Sequence, residues 1–197
     1  NLKEDVNLNL MKQGQSLTYV TNCTLNGLED EFKSQTPNLI IVQGDTTTAF
    51  SAALAAFYQG IPVAHVEAGL RTNFLMEPFP EEANRRLISQ ISTLNFAPTQ
   101  RAYENLKNSG INEKSIEVTG NTVVDALKII ARKKIKFNYE NLDLRLNKLI
   151  LLTVHRRENW GTNLDNIIIA IKEILSQYKN LTILIPMHKN HLVREKI

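Results

Sequence analysis

The sequence predicts an α/β protein with two Rossmann-like domains, each built on a parallel sheet. Short runs that are apolar throughout alternate with longer amphipathic segments, the pattern of strands lying between helices. One stretch, Phe137 to Asn147, is polar and irregular. It reads as a linker, with a first domain over 1–136 and the beginning of a second over 148–197.

The elements follow in order. Ser16 to Ser34 reads as a helix, because Leu17, Val20, Leu25, Leu28 and Phe32 recur on one face. Pro37 ends it, and Asn38 to Gln43 is a short strand. Gly44 to Thr48 turns into an alanine-rich helix from Ala49 to Gln59, stopped by Gly60 and Pro62. Pro62 to Glu67 is the next strand, closed by Gly69. Pro80 opens a helix running to Ser92, placed at a first helical position where its missing N–H needs no partner. A strand at Leu94 to Ala97 precedes a helix over Gln100 to Ser109. A strand at Ser115 to Thr119 and a turn at Gly120-Asn121 lead into a helix from Thr122 to Lys134. After the linker come a strand (Lys148 to Val154), a loop (His155 to Gly161), a helix (Asn163 to Tyr178) and a strand (Leu181 to Met187). That last helix carries Leu164, Ile167, Ile168, Ile171 and Leu175 on one face. Uniformly apolar strands imply sheets covered on both faces. The second domain shows only β–α–β, and the chain opens at Asn1 without methionine. The expectation is a partial chain, with the start of the first domain and most of the second lying outside it.

A chain of 197 residues can bury a real core, and its net charge of +3 is mild. The basic run Arg132-Lys133-Lys134, with Lys136, reads as a solvated helix end complementing the dipole, not as a nucleic-acid site. A single cysteine, Cys23, excludes an intramolecular disulfide and fits a reducing compartment. There is no charged-then-apolar leader, and no apolar run approaches the roughly 20 residues of a membrane helix. The reading is a soluble cytoplasmic protein with no membrane or nucleic-acid partner.

Parallel sheets bind ligands at the carboxyl ends of their strands, facing helix N-termini. The residues expected there are Asp45 with Thr46 to Thr48, then His65 and Glu67, then Gly120 and Asn121, then His155-Arg156-Arg157-Glu158-Asn159, and His188. The helix from Pro80 adds Glu81 and Glu82. Each has a structural alternative. Asp45 and the threonines can cap a helix. Glu81 and Glu82 suit a first helical turn, with Arg85 and Arg86 four residues on. His65 suits a satisfied core position, and Gly69 and Gly120 suit turns. Two arginines and a histidine directly after an apolar strand suit a diphosphate site. There is no Gly-x-Gly-x-x-Gly after a strand, no P-loop, and no zinc spacing beyond the lone pair His188 and His191.

Five of these segments resemble, in order, the signatures of the non-hydrolysing UDP-N-acetylglucosamine (UDP-GlcNAc) 2-epimerases. They are Val42 to Thr48, His65 to Thr72, Pro78 to Arg85, Thr119 to Leu127 and His155 to Asn159; Ile185 to His188 with Asn190 is similar to the next strand end. The resemblance implies a GT-B type fold and interconversion of UDP-GlcNAc with UDP-N-acetylmannosamine (UDP-ManNAc). That reaction proceeds by loss and re-addition of UDP through a glycal, without a redox cofactor or a metal. It implies Asp45, Glu67 and Glu81 as acid–base carboxylates and His155 as support for the diphosphate. Arg85, Asn121 and Arg156 are implied to bind substrate. Glu81, Arg156 and His188 match positions tied to an activating second UDP-GlcNAc in some members, and a homodimer is common. Gly14 stands where some members carry an arginine for that activator, which argues against activation here. The family's first strand, its basic phosphate loop and its uridine-binding half are absent, so this chain alone is expected neither to bind UDP-GlcNAc tightly nor to turn it over. Three alternatives are a hydrolysing 2-epimerase, a GT-B glycosyltransferase and a catalytically silent binder. The intact motifs and the complete set Asp45, Glu67, Glu81 and His155 disfavour all three.

Overall fold

A computed structural model describes residues 3–133, 148–154 and 162–186. They fall into two compact units, Asn1–Lys133 and Lys134–Ile197. The segments 137–147 and 155–161, and Met187 at the end of the last expected strand, lie outside the described residues.

Unit 1 begins with helix α1 (Leu17–Gln35) and carries four parallel strands: β1 (Ile40–Gln43), β2 (Val63–Val66), β3 (Leu94–Ala97) and β4 (Ile116–Val118). Ser16 caps α1 by accepting the Tyr19 N–H at 3.1 Å. The helix closes on Thr36, whose left-handed φ of 44° turns its N–H back to the Phe32 carbonyl. Helices α2 (Thr47–Tyr58), α3 (Glu81–Ile91) and α4 (Gln100–Asn108) connect the strands, and α5 (Thr122–Ala131) follows β4. It ends at Ala131, short of the Lys134 that the sequence pattern leads one to expect. A short 3₁₀ turn at Glu113–Ser115, absent from the sequence reading, leads into β4.

The strand order is β1-β2-β3-β4, so every crossover advances in one direction. Right-handed crossovers then place α2, α3 and α4 on one side of the sheet. On the packed side Val42, His65, Asn95 and Ile116 lie in register and are all buried. Small residues of α2 (Ala49, Ala53, Ala56) let that helix approach Val42, Val63 and Ile88 closely. Each buried Val or Ile there contributes about 1.5–3 kcal/mol. On the opposite side Ile41 and Leu94 remain 64% and 39% exposed. The expectation of a sheet covered on both faces is thus corrected for the described residues: a one-way strand order supplies helices to one face only.

In unit 2, β5 (Lys148–Leu151) pairs in parallel with β6 (Leu181–Leu184) across helix α6 (Thr162–Gln177). Both strands are shorter than their apolar runs. The apolar face expected on α6 is real: Leu164, Ile167, Ile168, Ile171 and Leu175 all line one apolar cavity. Among the described residues no helix is long and apolar enough to cross a membrane.

Candidate active site

The site is assembled where β1, β2 and β4 end. After β1, Gly44 adopts a φ of +75°, which only glycine takes up without strain. Its N–H donates to the Val66 carbonyl at 3.0 Å, keeping the turn against β2. The cap of α2 is Thr46, whose hydroxyl accepts the Ala49 N–H at 3.1 Å. Capping is therefore not the task of Asp45. Its carboxylate accepts Arg85 Nε–H at 2.9 Å, and its backbone carbonyl accepts Asn84 Nδ2–H at 2.9 Å. Two consecutive residues of α3 hold Asp45 by side chain and main chain together.

Arg85 is shared. Its second contact is Glu82 at 3.4 Å, and the Glu82 side chain is fully buried. Glu82 also accepts Arg86 Nε–H at 2.8 Å and the Thr72 N–H at 3.1 Å. A buried carboxylate is tolerable only when its lone pairs are filled by charge-assisted donors, which these three supply. The i,i+4 pair of Glu82 and Arg86 expected from spacing is present. The Glu81–Arg85 pair is not: Arg85 turns to Asp45 and Glu82 instead, and Glu81 Oε2 is buried without a hydrogen-bond partner among the described residues. Pro80 is likewise the cap of α3, one place before the first helical position, with its carbonyl accepting the Asn84 N–H.

After β2 the chain reverses at Glu67, which has a left-handed φ of 68°. For a residue with a side chain that conformation costs about 1–3 kcal/mol and marks a position held by its surroundings. Glu67 Oε1 accepts Asn121 Nδ2–H at 3.2 Å, while Asn121 Oδ1 accepts the Val123 N–H at 2.9 Å. Asn121 thereby caps α5 and orients Glu67 with the two ends of one amide. A Cβ added to Gly44 would lie 3.8 Å from Glu67 Oε2, so this carboxylate stands next to the turn that leads into Asp45.

Gly69 is not the ordinary turn glycine of the sequence reading. At φ +87° a Cβ there would meet the Ala102 carbonyl oxygen at 2.2 Å, because the loop runs directly against α4. Asn105 Nδ2–H donates to the Gly69 carbonyl at 2.9 Å. Arg71 donates to the Leu70 carbonyl and to Ser89 Oγ, and burial pulls its guanidinium below the usual arginine range.

Asp45, Arg85, Glu67 and Asn121 are thus gathered at neighbouring strand ends, and Glu81 opens α3. His155, Arg156 and His188 lie outside the described residues. The sequence reading missed Asn84 as a holder of Asp45 and Glu82 as a buried hub. A signal existed: Glu82, Arg85 and Ser89 repeat at helical spacing with Ile88, yet that polar stripe is the buried face of α3. Among the described residues no group of three or more His, Cys, Asp or Glu is arranged to hold a metal ion.

Comparison with known proteins gives a consistent result. The sequence model of the UDP-N-acetylglucosamine 2-epimerase family matches residues 1–197. The UDP-N-acetylglucosamine 2-epimerase of Neisseria meningitidis is 44% identical over 204 residues, covering 100% of this chain and 55% of that protein. The enzyme of the same name from Bacillus subtilis is 44% identical over 195 residues, covering 98% and 51%. The crystal structure of the N. meningitidis UDP-GlcNAc 2-epimerase bound to UDP-GlcNAc superposes with a TM-score of 0.92, over 100% of this chain and 55% of that one. That of Methanocaldococcus jannaschii, in complex with UDP-GlcNAc and UDP, is 36% identical with a TM-score of 0.78, covering 99% and 53%. The chain spans about half the length of the curated relatives it matches.

Proposed function

The chain belongs to the UDP-N-acetylglucosamine 2-epimerase family, and from that premise we propose that the full-length protein interconverts UDP-GlcNAc and UDP-ManNAc without net hydrolysis. The C2 proton has no adjacent carbonyl to stabilise a carbanion. The reaction therefore couples two events: a base takes the C2 proton while the C1–O bond breaks, UDP leaves with that electron pair, and C1=C2 forms. In the return step a proton is delivered to C2 from the opposite face and UDP re-adds at C1. One group on each face of C2 and a cationic site for the diphosphate are required.

The observation that carries this reading is the pair of carboxylates at adjacent strand ends, Asp45 held by Arg85 and Glu67 held by Asn121. Glu81 supplies the third carboxylate; its Oε2 is buried without a hydrogen-bond partner among the described residues, which supports a role toward substrate. His155 is assigned to the diphosphate and Arg156 to substrate binding. Arg85 and Asn121 are assigned to substrate binding, and each also holds a proposed acid–base carboxylate, Asp45 or Glu67. Glu81, Arg156 and His188 match the activator positions. The product supplies ManNAc for cell-surface polysaccharide, in the cytoplasm, from a homodimer. Domain limits at 1–136, 137–147 and 148–197 belong to the same proposal.

The test uses the complete gene, UDP-GlcNAc in deuterated water and NMR of the products. UDP-ManNAc carrying deuterium at C2 is expected. Free UDP and ManNAc in stoichiometric amounts would move the protein to the hydrolysing class, and unchanged, unexchanged substrate would leave a silent binder.

A further inference from the structure

His65 is buried in the middle of the sheet, in register with Val42 on one side and Asn95 on the other. Its Nε2 lies 2.8 Å from the Gly44 carbonyl oxygen. A carbonyl can only accept, so Nε2 carries the proton. Nδ1 is buried with no hydrogen-bond partner among the described residues. Burial also pushes the imidazole below its ordinary pKa, so the ring is neutral and held as a single tautomer.

Packing alone does not explain an imidazole at this place. Its in-register neighbour Val42 is aliphatic, and a buried ring nitrogen without a partner is destabilising. What the ring adds is one directed donor. It points at the carbonyl of Gly44, whose N–H is already tied to Val66 at 3.0 Å. Both polar groups of Gly44 are then fixed to β2, through backbone and side chain. Because the peptide linking Gly44 to Asp45 is planar, fixing that carbonyl fixes the amide from which Asp45 departs.

We propose that His65 is a positioning residue for the reaction: its buried Nε2–H locks the Gly44–Asp45 peptide and so aims the Asp45 carboxylate at the substrate. The proposal rests on the acid–base role assigned to Asp45 above. It extends the hold on Asp45 to a third point, after Arg85 on the side chain and Asn84 on the carbonyl.

The experiment compares His65→Gln, His65→Asn and Asp45→Asn in the full-length enzyme, with epimerisation kinetics on UDP-GlcNAc. Gln places an amide N–H near the position of Nε2, whereas Asn is too short to reach Gly44. His65→Asn should lower kcat on the order of 10–100-fold with KM within about 2-fold, and His65→Gln should recover most of that loss. Equal activity of the Asn and Gln variants would overturn the proposal. A second measurement does not depend on the variants folding: ¹⁵N-histidine NMR of the wild-type enzyme at pH 7 should show His65 neutral and protonated on Nε2. An Nδ1–H tautomer or an imidazolium would overturn it as well. Activity that survives Asp45→Asn would instead sink the acid–base reading, leaving the tautomer measurement to judge the His65–Gly44 hydrogen bond separately.

Discussion

At the end of β1 the Asp45 carboxylate meets a buried guanidinium, whereas at the end of β2 Glu67 meets a neutral amide and takes its direction from a left-handed backbone. Asp45 is held from outside its own strand, by two residues of α3 and by a network continuing into Glu82. Glu67 is held from within, by a φ that the following loop imposes. That loop runs directly against α4, where a Cβ added at Gly69 would meet the Ala102 carbonyl oxygen at 2.2 Å. Two carboxylates proposed for one reaction therefore depend on different kinds of order. One depends on charge pairing between elements far apart in sequence, the other on local backbone geometry braced by close packing.

Three substitutions in the full-length protein, followed by denaturant unfolding, separate these two kinds of order. The largest effect is expected for Gly69→Ala, which drives a Cβ into a backbone oxygen at a positive φ and should cost about 4 kcal/mol. A loss below about 1 kcal/mol would show that the loop can shift, so that close packing does not brace Glu67. Arg85→Met comes next. It keeps the stem but leaves Asp45 without its cation and Glu82 with Arg86 and the Thr72 N–H, for an expected loss of about 2–3 kcal/mol. If stability holds, the ion pair does not organise the β1 side. The smallest effect has the opposite sign. Glu67→Gly should raise stability by about 0.5–1 kcal/mol, since glycine relieves the φ of 68° while giving up only part of the gain to chain entropy. The same variant should lose turnover under the proposed mechanism. A destabilised Glu67→Gly would mean that the Asn121 contact, not the backbone, sets this side.

Much of the fold is legible in the sequence, because it follows from local rules. Proline and glycine punctuation and the apolar runs locate the elements of unit 1, with end shifts such as α2 beginning at Thr47 instead of Ala49. His65 is buried as a core position would have it, but only one of its ring nitrogens is satisfied among the described residues; the pair Glu82–Arg86 is present as its spacing suggests. Other features are illegible for identifiable reasons. Asp45 and Thr46 are both good caps, and only the arrival of Arg85 from a helix far along the chain decides which of them caps. Spacing alone offers Glu81 to Arg85, but the buried rotation of α3 turns Arg85 the other way. The open face of the sheet depends on strand order, which apolar runs do not encode.

The α/β class, the march of elements and the placement of acidic and amide residues just after the strands follow from interactions a few residues long, and local sequence encodes them. Which partner each of those residues takes is settled by packing between distant elements. The contact that holds Asp45 joins it to Arg85 across 40 residues, and Asn121 reaches Glu67 across 54 to complete what its own backbone turn begins. Strand register and the rotation of α3 bring those side chains within hydrogen-bond distance, and both are set by the packing of the whole sheet rather than by any local stretch of chain.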